Sequence, residues 1–160
     1  VNILKLIEMK KEKRKVTMVT CYDYWSAKIL SETPIDLLLV GDSAANVMHG
    51  HSTTLNINTQ TMAMHVASVA KGAPQKFIIG DLPFLSYRKS LTHNMNQVEL
   101  LMKSGAQALK MEGALGNTDF ISHCVQSGIP IMGHLGLTPQ FLHQLGGFKV
   151  QGRNEADAEE

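Results

Sequence analysis

Three carboxylates stand where three apolar runs end: Asp42 after LLLVG, Asp81 after KFIIG and Glu112 after ALKM. They lie 39 and 31 residues apart, about one strand–helix unit each. A lone aspartate after a strand is commonly a helix cap or a turn former. Three acids in three successive units point to one shared cause. Hard oxygen donors gathered at one place suit Mg²⁺, which takes few protein carboxylates and keeps positions for water and substrate. Lys110 and Glu112 are two residues apart and share a strand face, with Leu109 and Met111 on the other. Met132 and His134 share a face in the same way, with His134 at the end of its run.

Bringing these groups together requires parallel strands. VTMVT (16–20), DLLLVG (36–41), KFIIGD (76–81), QALKME (107–112) and PIMGHLG (130–136) read as strands. DLLLVG has no polar alternation, which suits a strand covered on both faces. Residues 1–14 read as an amphipathic helix with Ile3, Leu4 and Ile7 on one side. DYWSAKILSET (23–33), TQTMAMHVASVAKG (59–72), SLTHNMNQVELLMKSG (90–105) and NTDFISHCVQSG (117–128) read as helices, the last three with glycine stops. Residues 43–58 read as a long loop. Strand and helix alternate with a step of roughly thirty residues, the rhythm of βαβ units. An open doubly wound sheet and a closed eight-stranded barrel both use it. There is no GxGxxG and no GxxxxGK[ST], which counts against dinucleotide and P-loop folds.

The bulk numbers narrow the function classes. The 160 residues are 44% hydrophobic and 18% charged, a globular balance in which residues 1–160 read as a single domain. A net charge of +1 gives no basic field for a nucleic acid. MKKEKRK (9–15) reads as a solvated helix face. Cys21 and Cys124, far apart and without a CxxC, read as reduced thiols of a cytoplasmic protein. No apolar run reaches the length of a membrane span. His49 and His51, in a loop, read as surface residues, and the nine methionines as core filling.

The motifs VGDS (40–43), DLPF (81–84), KMEG (110–113), GHLGLTPQ (133–140) and GGFKVQGR (146–153) resemble the ketopantoate hydroxymethyltransferase family, as does TCYDYWSAKI (20–29). The resemblance runs in order through nearly the whole chain. It implies an α/β fold, a (βα)₈ TIM barrel of which these residues cover about the first five βα units. It implies hydroxymethyl transfer from 5,10-methylenetetrahydrofolate to α-ketoisovalerate (3-methyl-2-oxobutanoate), giving ketopantoate through a Mg²⁺-stabilised enolate, on the way to pantothenate. It implies a homo-oligomer, often a decamer. By motif, Asp42 and Asp81 are then the Mg²⁺ ligands, with Glu112 supporting the metal through water. Ser43, Asp81 and Lys110 hold the ketoacid, and His134 lines the site.

Two departures from the family pattern set further expectations. The family loop after GDS continues Leu-Gly-Met, where this sequence has Ala44, Ala45 and Asn46. Alanine lacks glycine's freedom at positive φ, so a different turn is expected here. The family's general base is a glutamate ending the sixth strand, and this sequence stops before such a strand. Glu155, Asp157, Glu159 and Glu160 are not in that context, so none is assigned as base. A five-strand piece has an unpaired edge, and the 160 residues alone are expected to bind metal poorly and turn over little. Two other readings compete. One is a Mg²⁺-dependent lyase like phosphoenolpyruvate mutase or isocitrate lyase, although the KKCGH-type loop of those enzymes is absent. The other is a truncated, non-catalytic subunit.

Overall fold

The structure is a computed structural model that describes residues 1–153 and 155; Asp157, Glu159 and Glu160 lie outside the described residues. In chain order the elements are α1 (Ile3–Lys11), β1 (Met18–Thr20), α2 (Tyr24–Ser31), β2 (Leu37–Val40), α3 (Ala44–Val47), α4 (Thr59–Gly72), β3 (Phe77–Asp81), α5 (Leu91–Lys103), β4 (Ala108–Glu112), α6 (Thr118–Gln126), β5 (Ile131–His134) and α7 (Leu142–Leu145). The five strands form one parallel sheet in the order β1-β2-β3-β4-β5. A doubly wound sheet reverses its strand order at a switch point. This sheet never reverses, which is the order of a (βα)₈ barrel wall.

The continuous apolar runs are explained by burial on both faces. Every residue of β2 and β3 is buried. Leu38, Val40, Ile78, Leu109 and Met111 turn outward and pack with Ala27, Val66, Val69, Val98, Leu101 and Phe120 of the helices. Leu37, Leu39, Phe77, Ile79 and Ala108 turn inward and form a second cluster with Leu6 and Met132. Along this inner face apolar side chains give way to charge at the strand ends. Ile79 is followed by Asp81, Ala108 by Lys110 and Glu112, and Met132 by His134. The register sets Asp81 beside Lys110 and Glu112 beside His134.

Three local expectations are corrected. Helix α1 is shorter than 1–14, because Lys13 takes a left-handed φ of 58° and ends it. Its buried side is Leu6 and Met9; Ile3, Leu4 and Ile7 are 43%, 66% and 48% exposed. Apolar residues surround this short helix, and only the stripe that meets the sheet's inner cluster is covered. The stretch 43–58 contains α3 and a 3₁₀ turn, Thr54–Asn56. Ala44 and Ala45 are fully buried in α3, a helical turn that needs no positive φ.

Gly72 is the third correction. It is the last residue of α4, and a Cβ there would lie 2.5 Å from the Tyr24 carbonyl oxygen and 2.7 Å from Ala27 Cβ. Its role is the close approach of α4 to α2. Gly72→Ala is expected to cost about 1–3 kcal/mol by overpacking, seen as a lower urea midpoint with an unchanged slope. Gly105 (φ 116°) and Gly128 (φ 85°), by contrast, do take the positive φ expected of glycine stops.

Asp36 ties the start of β2 to the chain before β1. Its carboxylate accepts from the Thr17 N–H at 2.9 Å, the Thr17 hydroxyl at 3.0 Å and Arg14 at 3.3 Å. The Thr17 backbone N–H, above the other causes, holds its pKa below the usual carboxylate range. A depressed folded pKa gives stability that is full above the unfolded value, about 3.9, and lost as pH falls through the folded value. In urea unfolding, the deficit of Asp36→Asn against the parent is therefore expected to be constant near neutrality and to shrink below about pH 4. Among the described residues, no helix is long and apolar enough to cross a membrane. Cys21 and Cys124 are both free and buried.

Candidate metal-binding active site

Strands β2 to β5 deliver their carboxyl ends to one rim, where ligands bind in folds of this type. Asp42, Asp81 and Glu112 are 4%, 2% and 1% exposed there. The Asp42 backbone N–H donates to Asp81 Oδ2 at 3.0 Å. Lys110 Nζ lies 3.0 Å from Asp81 Oδ2 and 3.7 Å from Glu112 Oε1. His134 Nδ1 lies 3.1 Å from Glu112 Oε1. Ser43 Oγ pairs with the Tyr22 hydroxyl at 2.8 Å. Gly41 keeps this floor open: a Cβ there would come within 2.8 Å of Ser43 Oγ and 3.5 Å of Asp81 Oδ2. All six residues singled out from the sequence thus meet at one rim.

The charges do not balance. Three buried carboxylates face one lysine. Burial pushes Asp81 up to about 7 and also raises Asp42. Burial pulls Lys110 down, but Asp81, Glu112 and Asp42 together outweigh it and leave the lysine raised and charged. Asp81 Oδ1 is buried without any hydrogen-bond partner among the described residues. An orphaned carboxylate oxygen is costly in a protein interior, and a cation would satisfy it.

The donor set selects the kind of cation. Among the described residues no group of three His, Cys, Asp or Glu side chains is placed to cage an ion. A metal held by one or two carboxylates and otherwise by water and substrate fits this arrangement, and Mg²⁺ is that metal. Glu112 has a different first task. Its Oε1 accepts from His134 and lies near Lys110, and its Oε2 accepts from the Gln140 N–H at 2.8 Å. It orients its neighbours from behind the rim.

Gln140 is the main group that the sequence reading gave no role. Its Nε2 donates to Asp42 Oδ2 and to the Leu82 carbonyl, both at 2.9 Å. Its Oε1 accepts from the Tyr87 hydroxyl at 2.7 Å. Burial pushes Tyr87 up to about 12, so the phenol stays a donor. Every polar atom of this buried amide is used, and the network joins the ends of β2, β3 and β4. Its visible signal was only a glutamine in GHLGLTPQ, 98 residues from the aspartate it holds. Gln140→Ala leaves Asp42, Leu82 and Tyr87 each short of a partner. It is expected to weaken Mg²⁺ binding about 10–100-fold, as loss of outer-shell partners does, measured by calorimetric titration of the metal.

Comparison with known proteins bears on what this rim serves. The family model described as ketopantoate hydroxymethyltransferase matches residues 1–160. The 3-methyl-2-oxobutanoate hydroxymethyltransferase of Coxiella burnetii is 61% identical over 151 residues, 94% of this chain and 57% of that protein. The enzyme of the same name from Bdellovibrio bacteriovorus is 58% identical over 154 residues, covering 96% and 59%. The chain thus spans less than two thirds of the length of these curated relatives. Among solved structures, 2,3-dimethylmalate lyase of the PEP mutase/isocitrate lyase superfamily aligns with a TM-score of 0.57 at 17% identity, over 74% of this chain and 47% of that one. Phosphonopyruvate hydrolase complexed with oxalate and Mg²⁺ aligns with a TM-score of 0.57 at 13% identity, over 70% and 39%. Those two likenesses confirm the barrel fold alone, and the competing lyase reading has no stronger support than this. The sequence identities decide the matter: this chain belongs to the ketopantoate hydroxymethyltransferase family.

Proposed function

We propose that this chain, with residues 1–160 folding as one domain, carries the metal and ketoacid site of an enzyme that makes ketopantoate from α-ketoisovalerate and 5,10-methylenetetrahydrofolate. The observation that carries the reading is Asp81 itself, whose Oδ2 meets the charged Lys110 while its buried Oδ1 has no partner among the described residues. Asp42 and Asp81 would hold Mg²⁺, with Glu112 behind them. When bound, the ion supplies positive charge at the ketoacid oxygens, which makes a C3 proton acidic enough to leave near neutrality.

The protein's own groups account for the rest. Lys110 has three N–H donors. Asp81 Oδ2, at 3.0 Å, lies within reach of one, while Glu112 Oε1, at 3.7 Å, is beyond hydrogen-bond distance, which leaves two for the substrate carboxylate. Tyr22 fixes the Ser43 hydroxyl for a further contact with the ketoacid. A carboxylate only accepts hydrogen bonds, so Glu112 selects the His134 tautomer with the proton on Nδ1 and leaves Nε2 as the ring's free polar atom. Next to Glu112 lies a largely apolar groove of about 520 Å³ lined by Gly113, Leu115, Leu135 and Phe141. Leu115 and Leu135 are 92% and 74% exposed. This groove suits the flat ring system of the one-carbon donor. In the proposed reaction a general base takes the C3 proton, C3 bonds to the donor's methylene carbon as that carbon's bond to one donor nitrogen breaks, and water then replaces the second nitrogen, leaving the hydroxymethyl group and tetrahydrofolate.

The test is product analysis. Ketopantoate formation that needs Mg²⁺, α-ketoisovalerate and the folate donor supports the reading. Cleavage of a 2-methylisocitrate-type acid instead would overturn it and favour the lyase.

A further inference from the structure

Away from the carboxylate rim, three histidines gather where α3 leads into α4. His65, on α4, is half-buried; His49 and His51, after α3, are exposed. His65 Nδ1 lies 2.6 Å from the Tyr22 carbonyl oxygen. A carbonyl only accepts, so Nδ1 carries the proton, and the neutral ring keeps its lone pair on Nε2. That Nε2 lies 2.8 Å from His49 Nε2, with the two rings edge to face and their centroids 5.1 Å apart. His51 stands next to the pair, its centroid 6.4 Å from that of His49.

We propose that His49 and His65 form a two-imidazole site for a divalent transition ion of the zinc class, separate from the carboxylate rim. Three features support it. A histidine whose second ring nitrogen donates to a backbone carbonyl has the outer-shell arrangement of a metal ligand, with tautomer and ring orientation already set. The two Nε2 atoms already face each other at 2.8 Å, so an ion held by both at about 2.0–2.1 Å needs them to part only to about 3.3 Å, and the exposure of His49 gives the ion a path from solvent and that ring room to move. Bound there, an ion replaces the single proton the two nitrogens share, and that proton moves to His49 Nδ1. Imidazole nitrogens suit zinc, copper and nickel, while oxygens suit magnesium, so the two sites select different ions. Among the described residues no third His, Cys, Asp or Glu completes a cage. Water fills the remaining positions, and the ion exchanges readily.

The test is calorimetric titration of zinc chloride into the protein with Mg²⁺ saturating the carboxylates. One zinc ion per chain is expected, bound at least about tenfold more weakly in His49→Ala and in His65→Gln, and unchanged in Asp81→Asn. In the unsubstituted protein, the Nε2 nitrogen resonances of His49 and His65 should shift with zinc while those of His93 and His123 stay. Absence of zinc uptake would overturn the proposal. So would unchanged affinity in a variant carrying both His49→Ala and His65→Gln, or loss of binding in Asp81→Asn, which would place zinc at the rim instead.

Discussion

In the ketopantoate-forming enzyme proposed to contain this chain, Asp81→Asn is expected to lower product formation by about 10³-fold while leaving the melting temperature unchanged or raised. The two halves have one cause. Asp81 is buried, carries an orphaned Oδ1, and is pushed up to about 7 by that burial. Lys110 meets its Oδ2, but that one lysine is set against three buried carboxylates, so without a metal the charge of Asp81 still costs stability. Asparagine keeps the shape and removes the charge. Charge stabilisation by a metal is worth several kcal/mol in the transition state, and about 4 kcal/mol corresponds to 10³ in rate. Paired rate and thermal scans check this, the scans run without Mg²⁺. A variant that keeps its activity would remove Asp81 from the site. A variant that melts well below the parent would make the carboxylate a structural group.

Lys110→Met should do the reverse to stability. Lys110 is the charge that offsets three buried carboxylates, with contacts of 3.0 Å to Asp81 and 3.7 Å to Glu112. Removing one partner of a buried ion pair costs about 3–5 kcal/mol, because the other charge is left uncompensated. For a chain of this size that is a fall in melting temperature of roughly 10 °C. The volume of methionine is close to that of lysine, so lost packing contributes little. Mg²⁺ is expected to recover part of the loss, since it brings positive charge to the same carboxylates. Thermal scans of parent and variant with and without Mg²⁺ give the answer. A variant as stable as the parent would mean that Asp42, Asp81 and Glu112 are not charged together.

What could be read from the sequence follows from how local each signal is. The strands were readable because two-sided burial writes itself as an unbroken apolar run, as in LLLV and FII. The convergence of Asp42, Asp81, Glu112, Lys110 and His134 was readable because one βα unit separates successive strand ends, and parity puts Lys110 and Glu112 on one face and His134 with Met132; Asp42 lies beyond the end of β2, where parity no longer decides. Gln140 was not, because its partners Asp42, Leu82 and Tyr87 are brought to it only by the chain's passage over the rim. The His49–His65 pair was hidden for the same reason, since a loop and a helix must fold together to form it. Gly72 was misread because a glycine at a helix end fits two roles, and only the position of α2 decides between turn and close approach. The buried side of α1 was misread because its apolar residues surround the helix, and the sheet's inner cluster selects Leu6 and Met9.

The central claim is that one rim holds Mg²⁺ and a 2-ketoacid together through Asp42, Asp81 and Lys110. Calorimetric titration of α-ketoisovalerate, once with saturating Mg²⁺ and once with EDTA, tests it most directly. The expected result is binding only with the metal, lost in Asp81→Asn. Equal binding in EDTA, or binding with Mg²⁺ that Asp81→Asn leaves intact, would contradict it.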